Sequence, residues 1–379
     1  MALVLTEDQQ MLKDSVAAFL ADKAPVAQLR ALRDSADATG FSRDLWREMA
    51  AMGLAGVLVP EAEGGSGFGY VGAGLAQEQI GRNLSASPML STAILGVTAL
   101  LRGGSNAQRQ ALLPKIAAGD MLLALAADEL ARHNPTRVST LATPSGNGFL
   151  LNGAKAFVLD GHVADKLIVS ARTSGAEGAR EGITLFLVDR AAAGVEVSRT
   201  VMVDSRNAAH VSLDDVQVAG EDVLGPVDGG HAILERVLDA GRACLAAEML
   251  GVAAESFDRT VEYLKQREQF GVLIGSFQAL QHRAAHLFCE VELVKSVVLR
   301  ALQALDADDP RAPAFASLAK AKAGEVVRLA TNEAVQLHGG IGMTDDFDVG
   351  FFMKRARAAA ETFGDIAFHG DRLARLGGY

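Results

Sequence analysis

The chain has 379 residues, with 36 lysines and arginines against 46 aspartates and glutamates, for a formal net charge of −10. That acidic balance argues against a nucleic-acid binder, which needs a basic face. The length allows two or three packed layers and a large core, and 49% apolar with 22% charged residues is the balance of a globular protein.

Residues 1–120 read as helical. Thr6-Glu7-Asp8-Gln9 has the pattern of a capping box. Met11, Leu12, Val16, Phe19 and Leu20 then follow one helix face. The pattern breaks at Val59-Pro60-Glu61-Ala62-Glu63-Gly64-Gly65-Ser66-Gly67. This stretch lacks the lysine of a phosphate loop and follows no clear strand, so it reads as a connection. The apolar run from Ala93 to Leu101 is too short to span a bilayer. No secretory leader is visible, and the expectation is a cytoplasmic protein with no membrane insertion.

The texture changes near residue 121. Phe149–Leu151, Ala156–Leu159, Leu167–Val169 and Ile183–Val188 are short, apolar and β-leaning, with turn residues between them. Such spacing predicts a small β-barrel or sandwich that ends near Leu224-Gly225-Pro226. The helical period then returns over Ala232–Arg267, Phe277–Leu305 and Ala314–Leu337, with Pro313 where a helix start tolerates it. The expected fold is mainly α with a central β-domain, divided into residues 1–120, 121–225 and 226–379. No GxGxxG follows a strand, which argues against a dinucleotide-type α/β fold. Cys244 and Cys289 sit in apolar helical stretches without metal-ligand spacing, so both are expected to be core thiols, with no metal site.

Several residues have a chemistry of their own. Arg267 ends a long helix before a glycine-containing turn. Its guanidinium there can bind a pyrophosphate or complement the helix dipole. Gln336 lies one helical turn before Gly339-Gly340, where paired glycines either let a backbone approach a ligand or simply terminate the helix. His338 reads as a packed or capping histidine ahead of a base.

Four segments carry a resemblance. They are Tyr263-Leu264-Lys265-Gln266-Arg267-Glu268-Gln269-Phe270-Gly271 with Phe277-Gln278; Ala334-Val335-Gln336-Leu337-His338-Gly339-Gly340-Ile341-Gly342-Met343; Asp215–Val218 with Asp222–Gly225; and Leu151–Val158. In order and spacing they resemble acyl-CoA dehydrogenases across essentially the whole chain. The tail Glu361-Thr362-Phe363-Gly364-Asp365 looks closest to small subunits of bacterial dehydrogenases, such as the pimeloyl-CoA dehydrogenase small subunit.

The resemblance implies a helical N-terminal domain, a β-barrel middle domain and a C-terminal four-helix bundle. It also implies FAD, an acyl-CoA substrate, an electron-transfer acceptor, and a tetramer in which one subunit completes its neighbour's cofactor site. Arg267, Gln269, Phe270, Gln278, Gln336, Leu337, Gly339 and Gly340 are the implied cofactor contacts, and Phe157 is a candidate to pack on the flavin.

The chemistry needs a base for the α-proton, in a dry pocket that raises its pKa. The two places where relatives carry that glutamate fall here on Phe363 and Gly241, and neither can accept a proton. Asp365 is the candidate surrogate and otherwise a capping carboxylate; Glu361 reads as a helix-surface charge. Arg242, aligned with an arginine near the family's active-site loop, is either catalytic or an interhelical ion-pair partner. The flavin-facing threonines are replaced within Ala127–Asn134 and at Phe157-Val158-Leu159.

The leading expectation is therefore FAD-dependent α,β-dehydrogenation of an acyl-CoA thioester, with this chain as the catalysis-poor subunit of a heterotetramer. The alternatives are a self-sufficient homo-oligomer with a non-standard base, a flavin monooxygenase or oxidase on the same fold, and a non-enzymatic scaffold.

Overall fold

A computed structural model describes residues 3–379. Helices α1 (Glu7–Lys23), α2 (Val26–Asp34), α3 (Arg43–Ala51), α4 (Gly69–Asn83), α5 (Val97–Gly103) and α6 (Asn106–Ala117) come first, with a π-helical stretch, Met89–Gly96, leading into α5. Strands β1 (Leu123–Ala126), β2 (Leu141–Ser145), β3 (Gly148–Leu159), β4 (Lys166–Arg172), β5 (Ile183–Asp189), β6 (Val195–Val201), β7 (Asn207–Ala219) and β8 (Val223–Leu224) follow. The rest is α7 (Gly230–Gln266), a hairpin of β9 (Glu268–Gln269) and β10 (Val272–Leu273), α8 (Gln278–Asp306), α9 (Ala312–His338), α10 (Val349–Glu361) and α11 (Ile366–Leu376). Among the described residues no helix is long and apolar enough to cross a membrane.

The chain divides into two compact units. One comprises residues 3–35, Tyr70–Ala86 and Arg242–Tyr379; the other comprises Ala36–Gly69 and Ser87–Gly241.

In the first unit the capping box forms as its sequence predicts: Thr6 Oγ1 accepts from Gln9 N, and the Gln9 side chain accepts from Thr6 N. Val16 and Leu20 of α1 are buried, but Met11 is 61% exposed, so the expected apolar face is narrower than its spacing implied. Helices α4 and α7 cross with their backbones close. A Cβ at Gly81 would collide with the Glu248 carbonyl, and one at Gly251 with that of Glu78. Only glycine permits that approach. Beside this crossing Arg355 donates to both carboxylate oxygens of Glu248 at 2.8 and 3.0 Å, and both side chains are buried. Cys244 is a buried core thiol as expected; Cys289 lies on the exposed side of α8, which corrects its expected burial.

In the second unit seven strands run β6-β7-β3-β2-β4-β5-β8, and β1 pairs in parallel with β4. Alternate residues from β1 to β5 and β7, among them Leu151, Val169, Phe186 and Val211, share one buried cluster. A flat sheet cannot gather one face of so many strands, so the sheet curls around its core. Two expected strands prove to be one: β3 runs through both, with register shifts at Leu151/Gly153 and Lys155/Val158. Such shifts bend a strand and re-aim its side chains.

Candidate functional site

A groove in the first unit gathers residues from three helix ends and a hairpin. Tyr263 and Arg267 come from the end of α7, Gln269 from β9, and Leu280 and Arg283 from the first turns of α8. The end of α9 and the turn after it add Gln336, Leu337, His338, Gly339, Gly340 and Ile341. Its volume is about 500 Å³.

The local folding explains the shape. The α7 ladder ends with Arg267 N donating to Tyr263 O, which leaves the Arg267 side chain at the mouth of the hairpin. At the hairpin tip Phe270 and Gly271 both have positive φ, +55° and +78°, as a two-residue turn between antiparallel strands requires. Across the groove α9 closes on Gly339 at φ +63°, whose N–H donates to Gln336 O.

Polar groups here stand ready for a ligand. Arg267 is exposed, and among the described residues no carboxylate pairs with it. Arg283 Nε donates to Glu333 at 2.6 Å, which aligns the guanidinium. A Cβ built on Gly339 or Gly340 would meet nothing within 4 Å, so both glycines border open space. Unpaired guanidinium and accessible backbone are the means by which proteins hold phosphates.

The structure thus brings Arg267, Gln269, Gln336, Leu337, Gly339 and Gly340 together in one groove. Phe270 and Gln278 do not line it. Phe270 is 92% exposed at the hairpin tip, its ring centroid 6.2 Å from that of Phe277. His338 is packed: Nδ1 donates to Ala334 O at 2.6 Å, and the ring stacks on Tyr263 with centroids 4.4 Å apart. Burial lowers its pKa and keeps the ring neutral. Sequence reading missed Tyr263 and Arg283. Tyr263, four residues before Arg267 and so on the same helix face, was available from spacing; Arg283 belongs to another helix and had no such signal.

The loop at Phe363 is of the opposite kind. Phe363 is 9% exposed and held at φ +60°. Its carbonyl accepts from His369 Nε2 at 3.1 Å and from Arg242 Nε at 3.4 Å. Buried Lys320 donates to Ala360 O at 2.9 Å and Gly364 O at 3.0 Å. Burial, reinforced by the Arg242 charge, pushes the Lys320 pKa down to about 7. Arg242 is fully buried, with its guanidinium 5.5 Å from the Phe368 ring centroid. It holds the loop backbone and is not part of the groove.

Asp365 is exposed and caps α11, accepting from Phe368 N at 2.7 Å. A side chain fixed to a helix start and facing solvent lacks the dry surroundings a strong base needs, which argues against its expected catalytic role. Glu361 pairs with Arg357 one turn away, at 3.4 Å, as a surface charge does.

In the second unit Phe157 lies in the second bulge of β3 at φ +52°, 48% exposed, 5.8 Å from the His210 ring. The neighbouring carboxylates are internally committed. Asp128 meets His133 Nδ1 at 2.8 Å. Glu129 accepts from buried Lys155 at 2.7 Å, from Thr140 Oγ1 at 2.7 Å and from Ser139 N at 2.6 Å. Burial opposes the Glu129 charge, yet Lys155 outweighs it and holds the pKa below the ordinary carboxylate value.

Comparison with known proteins places this geometry. Residues 6–120, 125–216 and 228–377 match the acyl-CoA dehydrogenase N-terminal, middle and C-terminal domains in turn. The chain is similar to mitochondrial isovaleryl-CoA dehydrogenase of Pongo abelii, 31% identical over 93% of this chain and 84% of that protein. Among solved structures it resembles butyryl-CoA dehydrogenase from Megasphaera elsdenii, with a TM-score of 0.92, 26% identity and full coverage of both chains. It also resembles a chain of the ChsE4-ChsE5 complex from Mycobacterium tuberculosis, with a TM-score of 0.88 and 28% identity over 100% of this chain and 98% of that one. The chain belongs to the acyl-CoA dehydrogenase family, with the mainly helical, three-domain fold and the oxidoreductase character of that family.

Proposed function

We propose that this chain serves FAD-dependent α,β-dehydrogenation of an acyl-CoA thioester as the catalysis-poor member of a heteromeric enzyme. In this reading the groove at Arg267 and Gly340 takes the adenine–pyrophosphate half of FAD, and a partner subunit supplies the proton acceptor. Members of the family bind FAD, and the donor set here suits a pyrophosphate: one guanidinium with no partner among the described residues, a second aligned by Glu333, and two glycines whose missing side chains leave room. When bound, FAD supplies the hydride acceptor of the reaction.

The residues of this chain then have separate tasks. Arg267 neutralises phosphate charge, and Arg283 adds a second cation beside it. Gln336 has both a donor and an acceptor to offer a ligand edge. Phe157 can pack on an aromatic ring. Lys320, His369 and Arg242 hold the Phe363 loop closed, and Asp365 caps the helix after it.

One observation carries the heteromeric reading. Phe363 occupies the place where the family resemblance puts the base, and its phenyl ring accepts no proton. The similarity to a chain of the ChsE4-ChsE5 complex, itself a two-component assembly, supports it. The test is to purify the chain alone and then with a co-expressed dehydrogenase partner, recording native mass, flavin content and the visible spectrum with acyl-CoA. Flavin that bleaches only in the mixed assembly is expected. Stoichiometric flavin that acyl-CoA bleaches in the chain alone overturns the proposal in favour of a self-sufficient enzyme.

The missing base also suits an oxygen-using flavoprotein, whose chemistry removes no α-proton. Oxygenated product from reduced flavin and oxygen, without thioester oxidation, selects that second reading.

A further inference from the structure

The groove has a wall whose support comes from far away in sequence. Between the turn after α9 and the start of α10 runs the segment 344–348, Thr344-Asp345-Asp346-Phe347-Asp348. The Phe347 ring lies against the two aromatic residues of the groove wall: its centroid is 5.0 Å from that of His338 and 6.2 Å from that of Tyr263.

The acids on either side of Phe347 are held by α2. Arg33 grips Asp345 with two parallel bonds, Nη1 to Oδ1 and Nη2 to Oδ2, both 2.7 Å. Arg30 spans the segment, meeting Asp345 at 2.9 Å and Asp348 at 3.0 Å. Both guanidinium groups lie over the buried ring of Phe351, 4.7 and 4.8 Å from its centroid. Arg259 of α7 reaches Asp348 from another side at 3.2 Å.

An isolated exposed ion pair does little, because water and side-chain entropy compete with it. This arrangement differs in geometry. A bidentate fork fixes direction as well as distance, and the ring below fixes the plane of both guanidinium groups. Two anchors three positions apart, Asp345 and Asp348, leave the two residues between them, Asp346 and Phe347, little freedom.

We infer that Arg30 and Arg33 are positioning residues for the ligand groove: by clamping Asp345 and Asp348 they press Phe347 against His338 and Tyr263 and keep the Gly339–Gly340 wall in its binding shape. This inference rests on the reading of the groove as a dinucleotide site, but its first readout does not.

That readout is backbone hydrogen exchange of the intact chain, resolved over residues 339–348, in wild type, Arg33→Glu, Asp345→Arg and the doubly substituted charge swap. Exchange in this segment is expected to speed up about fivefold in each single variant, the scale of losing one well-formed ion pair, and to recover in part in the swap, where Arg30 faces a cation at position 345. Arg33→Lys keeps the charge, disturbs folding least and still loses the fork; it is expected to speed exchange about twofold. Unchanged exchange in Arg33→Lys and Arg33→Glu, or a swap that restores nothing, overturns the clamp.

The second readout is FAD affinity of the assembled enzyme, with ADP as the probe of the adenine half. Weaker binding in the single variants and recovery in the swap support positioning. If exchange responds and recovers while neither FAD nor ADP binds the wild-type groove, the dinucleotide reading fails and the clamp on the wall stands. If ADP binds equally to all four proteins, the positioning role falls and the dinucleotide reading stands.

Discussion

The groove at Arg267 and the loop at Phe363 lie in the same compact unit, and both are rich in cations, yet they treat those cations in opposite ways. In the groove Arg267 is exposed, and among the described residues no carboxylate pairs with it, while Gly339 and Gly340 face open space. At the loop, Arg242, Lys320 and His369 are buried and turned onto the carbonyls of Ala360, Phe363 and Gly364. A ligand site leaves polar groups wanting a partner; a structural site finds the partner within the chain. The contrast gives each region its own signature under substitution.

The largest expected effect tests the groove. Arg267→Ala removes a charge-assisted contact and no internal partner. FAD affinity of the assembly should fall roughly 100-fold, while the Tm of the chain stays the same. A fall in Tm with unchanged affinity, by calorimetry and fluorescence titration, would move Arg267 into the structural class.

Next is Lys320→Met, which tests the loop. Below about pH 7 the ammonium is charged in both folded and unfolded chains, so it adds no slope. Between about 7 and the ordinary lysine range the unfolded chain still holds a proton that the folded chain has released. Stability therefore rises with pH across that window. The methionine variant should lose this rise and also about 1–3 kcal/mol at neutral pH, because two buried carbonyls lose their donor. Denaturant titrations of both proteins from pH 6 to 10 check it; parallel curves refute the assigned role.

A smaller effect sharpens the groove side. A Cβ at Gly340 meets no protein atom, so Gly340→Ala should change stability by less than about 0.5 kcal/mol. It should weaken FAD binding about tenfold if the backbone there is approached closely. The smallest effect concerns Asp365. Asparagine caps a helix nearly as well, so Asp365→Asn should leave Tm and turnover of the assembly almost unchanged, whereas Asp365→Ala costs about 1 kcal/mol of stability. A collapse of turnover in Asp365→Asn would restore that residue as the base.

The elements were legible to different depths. The long helices read from their period as Ala232–Arg267, Phe277–Leu305 and Ala314–Leu337 appear at Gly230–Gln266, Gln278–Asp306 and Ala312–His338, because each carries a sustained apolar face and a clear stop. The strands were harder. β1, β2, β6 and β7 were not read as strands; β6, for one, alternates half-buried with exposed residues and has no continuous apolar run. Met11 and Cys289 looked like core residues and are exposed, since a helix period shows that a face exists but not how wide it is.

Some properties follow from the linear chain alone. Helix, strand and cap signals act over a few residues, so the mainly α order with a β-domain between, the cap at Thr6 and the absence of a proton acceptor at Phe363 were all readable there. Tertiary structure decided what distance in sequence conceals. It brought Arg267 to Gly340, set Arg33 on Asp345, and turned Lys320 onto the Phe363 loop. Those pairings depend on where helices cross and end, and packing of the whole unit sets that geometry.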